Sequence, residues 1–297
     1  MSTLPPFNLH GNWHKANLHT HTTASDGALT PLQVLEWHLE HGYHVLAITD
    51  HDRVTNSNEP GKDRAILSIP GTEISAQRGE VEYHVVALGV DAMPVAPGCD
   101  PQEAMEAIQA MGGVSFIAHP YWNDHVPADL LSLDSLIGIE IFNTGCWLDI
   151  QKGHSLVHWD VLLSRGRRVW GVATDDSHWK YPDYGRGWIW IRAGELSPGA
   201  VIQAIRQGWF YASMGPEIYT VEISGRRVWV RCSPVRSIYL IGDGYHCPSA
   251  AQSWDEQPIT EAGFELHPRQ RYFRVEVVDF AFQSAWTNAY FLDGDEG

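Results

Sequence analysis

The sequence predicts an α/β barrel of strand–helix units over residues 1–215 and a small all-β unit over 216–297, and three observations predict it. Short apolar runs such as Val45-Leu46-Ala47-Ile48 and Val169-Trp170-Gly171-Val172-Ala173 show no alternation of polar and apolar residues. Runs of that kind read as parallel strands covered on both faces. Helix signals fall between them, and such alternation builds a parallel sheet that closes into a barrel with its site at the C-terminal rim. After Met214-Gly215-Pro216 the helix signals stop and short strand-like runs take over.

The helices are marked by their ends. Thr30-Pro31 opens one over 32–41 that Gly42 stops, Asp100-Pro101 opens one over 102–111 that Gly112 stops, and Ser197-Pro198 opens one over 200–207 that Gly208 stops. Each pairs an N-cap with proline in the first turn and glycine just past the end. A further helix is expected from about residue 150 to 164, before Gly166. Residues 80–90 read instead as one arm of a hairpin, which makes the barrel irregular. Beyond Pro216, runs at 218–223, 227–232, 238–241, 272–278 and 289–292 predict a β-sandwich of about 80 residues whose expected role is packing.

The strand-like runs turn polar at one end. Asn17-Leu18-His19-Thr20-His21 places two imidazoles on one side of an extended segment, because residues two apart share a face. Asp26 follows in the turn Ala24-Ser25-Asp26-Gly27. His51 ends the run beginning at Val45, Glu73 sits in Pro70-Gly71-Thr72-Glu73, and His84 in Glu82-Tyr83-His84-Val85. His119 follows Val114-Ser115-Phe116-Ile117-Ala118, and Asp176 and His178 repeat the spacing of two after Val172-Ala173. A lone histidine at a strand end is ordinarily a hydrogen-bonded structural residue. Recurrence carries the argument here: imidazoles and carboxylates gathered at one rim suit a cluster of divalent ions, which activates water for hydrolysis. His10, His14, His38, His41, His44, His154 and His158 fall outside the pattern and read as structural or surface residues, while His125, His246 and His267 are unassigned.

Leu18-His19-Thr20-His21 with Ser25-Asp26-Gly27, Thr49-Asp50-His51-Asp52, Gly71-Thr72-Glu73, the His84 strand, Ala118-His119-Pro120 and Asp176-Ser177-His178 together resemble the polymerase and histidinol phosphatase (PHP) superfamily over residues 15 to about 215. The resemblance implies an irregular (β/α)7-type barrel. It also implies one ion on His19, His21, Glu73 and Asp176, a second on Glu73, His84 and His119, and a third on Asp26, His51 and His178. Arg168 to Ala173, Gly208 to Pro216 and Ser284-Ala285-Trp286-Thr287-Asn288 resemble a narrower branch, the carbaryl-hydrolase-like metallohydrolases, with a β domain behind the barrel.

The resulting expectation is a metal-dependent hydrolase, a phosphoesterase acting on a small phosphomonoester or nucleotide through a metal-bridging hydroxide. The alternative is a carbamate or carboxylic ester hydrolase on the same cluster, and a non-catalytic metal-bound binding module ranks last. Two or three ions are expected, and mixed imidazole and carboxylate donors suit zinc, manganese or iron. Glu73 is the expected catalytic bridge. Asp52, beside His51, either protonates the leaving group or orients that imidazole. Arg53, Asn143 and Arg186 lie just past predicted strand ends and are the candidate substrate contacts. Trp122, Trp147 and Trp179 also come after strand ends, where they line the pocket or cap the barrel.

A formal net charge of −16 argues against an extended nucleic-acid surface. Bound ions would still draw a small anion inward. The first residues carry neither a basic stretch nor an apolar one, and no run is long and apolar enough to span a bilayer, so the expectation is a cytoplasmic protein with no membrane partner. Cys99, Cys146, Cys232 and Cys247 fit neither a disulfide framework nor a paired-cysteine metal motif and are expected to be reduced. Oligomeric state is left open.

Overall fold

A computed structural model describes residues 1–55, 66–244 and 249–292; His246 and Cys247 lie outside the described residues. Along the first part of the chain run β1 (Ser2–Thr3), β2 (Asn12–Asn17), α1 (Pro31–Glu40), β3 (Val45–Ile48), β4 (Leu67–Arg78), β5 (Val81–Leu88), α2 (Pro101–Ala110), β6 (Val114–Ile117), α3 (Pro127–Leu131), β7 (Gly138–Asn143), α4 (Thr144–Ile150), α5 (Leu156–Ser164) and β8 (Trp170–Thr174). They are succeeded by β9 (Trp188–Ala193), α6 (Pro198–Arg206), β10 (Phe210–Ser213), β11 (Ile218–Ser224), β12 (Arg227–Val235), β13 (Ser237–Gly242), β14 (Ser249–Gln252), β15 (Ile259–Glu265), β16 (Tyr272–Val278), β17 (Ser284–Thr287) and β18 (Tyr290–Phe291).

The capped helices form as the sequence predicts. Thr30 and Gln33 make a reciprocal box at the start of α1, Asp100 accepts from Gln102 N at 2.8 Å, and Ser197 accepts from Ala200 N at 3.3 Å. The helix expected over 150–164 forms only from Leu156, as α5, while a separate helix, α4, ends at Ile150. Gln151 turns left-handed at φ 63°, and the chain then runs back beside β7, with Asn143 N donating to Gly153 O at 2.9 Å and Ser155 N to Ile141 O at 3.0 Å. These backbone bonds outcompete continuation of the helix, and Ser155 restarts it as α5. The short α3 is an addition to the helices that the sequence predicts.

Strands β2, β3 and β4 pair in parallel, β4, β5 and β6 antiparallel, and β6, β7 and β8 in parallel again. The hairpin read at 80–90 is the β4–β5 pair. The expected closed barrel is not formed as a continuous ladder: the sheet is an open path ending at β8. The segments that follow β2 and β8 meet beyond the strands, where Thr20 and Ser177 form an isolated bridge, His21 N donates to Ser177 O at 2.9 Å and Asp176 N to His19 O at 2.9 Å. β2 has already stopped at Asn17 and β8 at Thr174, and Asp176 leaves extended geometry altogether at φ 51°.

Beyond Pro216 the strands make two layers. β1, β11, β12 and β15 form one sheet, while β14, β13, β16 and β17 extend the long sheet through pairing of β17 with β10. Val221, Val228 and Val230 from the first layer pack on Ile238, Leu240, Phe273 and Val275 from the second. Both β1–β11 and β10–β17 cross the division drawn after residue 215. The motif around Trp286 stitches them together: Asn288 Oδ1 accepts from Gly171 N at 3.0 Å while its amide donates to Gly208 O and Phe210 O. Cys99, Cys146 and Cys232 are free thiols. Among the described residues, no helix is long and apolar enough to cross a membrane.

Arg274 on β16 is 2% exposed and reaches Asp160 on α5 with two bonds of 2.8 and 2.9 Å, lying over Trp159 and touching Glu276 at 3.2 Å. Removing the acid leaves a buried cation with its bidentate partner gone and Glu276 alone facing it, whereas removing the cation leaves a carboxylate that turns to water. Asp160→Ala should therefore cost about 3 kcal/mol in urea denaturation, and Arg274→Met less than half as much. Equal costs, or the reverse order, would show that the bidentate pair does not hold the two elements together.

Candidate metal centre

The nine residues converge on one rim. His19 and His21 lie just after β2, His51 after β3, His119 after β6, and Asp176 and His178 after β8. Glu73 and His84 depart from the strand-end expectation: both sit inside the β4–β5 hairpin, where Glu73 faces Val86 and Ser75 faces His84 across the ladder. Asp26 is carried by a turn that Asp50 organises, accepting from Thr22 N, Thr22 Oγ1 and Ser25 Oγ at 2.7 to 2.8 Å. His119 and Asp176 adopt left-handed backbone at φ 30° and 51°, a costly conformation for residues with a side chain.

Glu73 is the hub. Its Oε2 lies 3.2 Å from His19 Nε2, 3.2 Å from His21 Nε2 and 3.1 Å from His51 Nδ1, while Oε1 lies 2.9 Å from His84 Nδ1 and 3.1 Å from His119 Nε2. Asp176 Oδ1 reaches the first two imidazoles at 3.2 and 3.0 Å. Asp26 meets His178 Nε2 at 3.2 Å and stands 3.7 and 3.8 Å from His21 and His51. Donor atoms of His19, His21, Glu73 and Asp176 lie within 4.8 Å of one another, as do those of His21, Asp26, His51 and His178, those of His51, Glu73 and His84, and those of His119, Cys146 and Asp176. A pocket of ≈ 240 Å³ opens above them, lined by all nine except the wholly buried His19 and His21, together with Trp122, Gly145, Cys146, Asp149 and Tyr181.

Burial alone would neutralise these groups, and their mutual charge prevents it. Glu73 is desolvated yet is held well below the usual carboxylate range by His19, His84 and His119, and Asp176 is likewise lowered against its burial by His19 and His21. His21, against burial, is pushed up to about 9 by its contacts with Asp176 and Glu73; His19 and His119 are raised in the same way, while burial lowers His51. Glu73 Oε2 and His21 Nδ1 are buried and make no hydrogen bond. A carboxylate oxygen crowded by three imidazole nitrogens but bonded to none fits a divalent cation better than it fits the protein groups alone.

A ring of residues the sequence reading passed over aims the imidazoles. Glu140, 1% exposed, accepts from His19 Nδ1 and Thr174 Oγ1 at 2.7 Å, and from Asn143 Nδ2 and His119 N at 2.7 and 2.9 Å. The bond to Nδ1 leaves His19 Nε2 facing the pocket, and Asn123 Oδ1 does the same for His119 from 2.6 Å. Asp175 accepts from Gly185 N, Arg186 N and Gly187 N, and its burial lifts it to about 6 against those bonds. Glu140 had a visible signal, a single charge inside the apolar run Gly138–Asn143.

The other predicted contacts are placed elsewhere. Asp52 accepts from Ser75 N with one carboxylate oxygen and from Ser75 Oγ with the other, both at 2.8 Å, and is not among the residues that line the pocket. Arg53 donates to Ala24 O at 2.7 Å and is exposed outside the lining. Asn143 is fully buried, bonding Glu140 and Asp176, so it positions groups behind the pocket wall. Arg186 contributes its backbone N to Asp175, and its side chain is not part of the lining. Trp122 lines the pocket, Trp147 packs on Phe142, and Trp179 bonds Thr20 and stacks on Tyr184. His38, set aside as structural, donates to Val34 O, and burial pushes it down to about 3.

No protein-family model matches this chain. Over 81 residues it is 42% identical to the 5′-3′ exoribonuclease Rnm of Escherichia coli, covering 25% of this chain and 27% of the relative. Over 78 residues it is 38% identical to the 3′,5′-nucleoside bisphosphate phosphatase of Chromobacterium violaceum, covering 25% and 27%. These matches span less than a third of either relative. A crystal structure of a two-domain protein from Bacteroides vulgatus containing a predicted PHP-like metal-dependent phosphoesterase aligns over 98% of both chains, with a TM-score of 0.56 at 17% identity. The chain therefore shares the fold of that two-domain protein along nearly its whole length, and the PHP likeness read from the sequence is borne out. The carbaryl-hydrolase-like branch is not.

This geometry makes two outcomes testable. Glu140→Gln keeps the shape but removes the charge behind His19, and zinc affinity measured against a chromophoric chelator should fall about 10- to 100-fold; unchanged affinity would leave Glu140 a purely structural acid. The second concerns pH. His21 is raised from 6.5 to about 9, so in chelator-treated protein its charge stabilises the fold fully below pH 6.5 and that contribution disappears as pH climbs through about 9. Zinc-loaded protein holds these imidazoles neutral and lacks that loss. Thermal melts should thus show the chelated form, and not the loaded form, losing stability across this window, and parallel curves would contradict the assigned charges.

Proposed function

We propose that the chain is a metal-dependent phosphoesterase acting on a small phosphomonoester or nucleotide, with a catalytic unit over 1–215 and a packing β unit over 216–297. The observation that carries this reading is the position of Glu73, a buried carboxylate with five imidazoles around its two oxygens. His19, His21, Glu73 and Asp176 would hold one ion, Glu73, His84 and His119 a second, and Asp26, His51 and His178 a third. Such ions lower the pKa of coordinated water toward about 7 and offset charge on phosphate oxygens. Zinc, manganese and iron all suit the donors.

The protein's own groups do the rest. Glu73 keeps two donor sets in register because one rigid carboxylate belongs to both. Glu140 and Asn123 hold Nδ1 of His19 and His119, so each would turn Nε2 toward a bound ion and give up the Nε2 proton as the ion enters. Asp50 ties down the turn of Asp26. Trp122 and Tyr181 offer flat walls at the pocket mouth for the organic part of the substrate. The named relatives, an exoribonuclease and a bisphosphate phosphatase, favour phosphate over carbamate or carboxylic esters.

The test is a substrate panel with added manganese: p-nitrophenyl phosphate, a bis-phosphodiester, nucleotides and aryl carbamates. Glu73→Gln should lower phosphate-ester turnover at least about 100-fold, since it disturbs two ion positions. Asp26→Asn, touching one, should cost about tenfold on the same scale. Wild-type turnover by the Glu73 variant would remove the bridge, and carbamate turnover without phosphate turnover would transfer the reading to the alternative.

A further inference from the structure

The geometry points to Cys146 as a sulfur donor in the metal cluster, on the ion assigned above to Glu73, His84 and His119, which Asp176 would reach through Oδ2 while its Oδ1 stays with His19 and His21. This rests on the metal-dependent reading above and adds to it a donor outside the nine imidazoles and carboxylates. Cys146 Sγ lies 3.9 Å from Asp176 Oδ2, and the same Oδ2 lies 3.9 Å from His119 Nε2. All three donor atoms fall within 4.8 Å of one another. Donors on one ion, at bond lengths of about 2.0 to 2.3 Å in tetrahedral arrangement, stand about 3.3 to 3.8 Å apart, and the two pairs at 3.9 Å are close to that spacing.

The position of the sulfur is imposed by the fold. Cys146 lies in the first turn of α4, where its N donates to Asn143 Oδ1 at 2.9 Å. Gly145 N donates to Asp175 O at 2.8 Å, and a Cβ at Gly145 would sit 2.8 Å from Asp176 O, so this turn is pressed against the segment carrying Asp176. Asn143 also donates to Asp176 Oδ2 at 3.0 Å, tying donor and helix start to one side chain. Cys146 is 6% exposed, and it lines the same pocket as Glu73, whose buried Oε2 has no hydrogen bond. A weak thiol-to-carboxylate hydrogen bond explains one distance but not the third donor.

On binding, the thiol proton passes to solvent as the sulfur–ion bond forms. A thiolate makes this position softer than the others and biases it toward zinc or cadmium over manganese. The whole chain, stripped with chelator and titrated with cadmium, should develop the ultraviolet thiolate-to-cadmium charge-transfer band. A variant with Cys99→Ser, Cys232→Ser and Cys247→Ser together should keep the band, and Cys146→Ser should lose it, with the preference for zinc over manganese falling about 10- to 100-fold. Cadmium bound by elemental analysis without the band, or a band that survives Cys146→Ser, overturns the sulfur donor while sparing the hydrolase reading. Absence of bound cadmium overturns both.

Discussion

Glu73 lies almost wholly out of solvent at the floor of the pocket, and the arrangement of the rim follows from the cost of that burial. Taking a carboxylate into a dry interior costs several kcal/mol unless positive charge or well-aimed donors meet it. Five imidazoles gather around it, and each must itself be aimed. His19 leans on Glu140, His119 on Asn123, and Glu140 in turn recruits Thr174 and Asn143. Compensation thus spreads outward until it is carried by backbone amides, as at Asp175 and Asp50. Extended strands cannot deliver so many side chains to one point. The chain leaves β geometry at His119 and Asp176, and the ladder between β2 and β8 gives way to a single bridge. An incomplete barrel is the structural consequence of a crowded rim.

This explains which features could be read from the sequence. His19, His51, His119, Asp176 and His178 stand where apolar runs turn polar, a local signal that requires no knowledge of partners. The caps at Thr30, Asp100 and Ser197 are equally local. Glu140 is different, because its meaning depends on His19, which is 121 residues away in sequence. Arg53 and Asp52 gain their expected roles from position after a strand end, and their partners, Ala24 and Ser75, come from other segments. The break before α5 arises from pairing of residues 153–155 with β7, against a helical pattern that runs through it. The illegible features are contacts between distant segments, where tertiary hydrogen bonds override local preference.

The strands beyond Pro216 obey the same logic. Nothing in the spacing of Ser284 to Asn288 indicates chemistry, and in the structure the motif serves packing: Trp286 is almost fully buried and Asn288 binds three backbone groups of the preceding unit. Arg274 adds a bidentate pair from within a strand otherwise rich in valine and aromatic residues. These polar anchors are directional, so they fix how the layers sit, whereas apolar packing alone tolerates sliding. Among the described residues, no side chain from these strands lines the pocket above Glu73.

Charge divides the molecule in a way that bears on substrate choice. A surface with net charge −16 repels an approaching polyanion over roughly a Debye length, about 8 to 10 Å in physiological salt. Inside the pocket, the divalent ions of the proposed reading would reverse the sign locally, and their pull would grow as water is displaced. A compact phosphate ester entering a volume of ≈ 240 Å³ feels mainly the second field, whereas a long strand must hold most of its phosphates in the first. The same argument favours a terminal phosphate presented alone, with its organic part against Trp122 and Tyr181. On the proposed phosphoesterase reading, the acidic exterior and the imidazole-rich floor would together select for size.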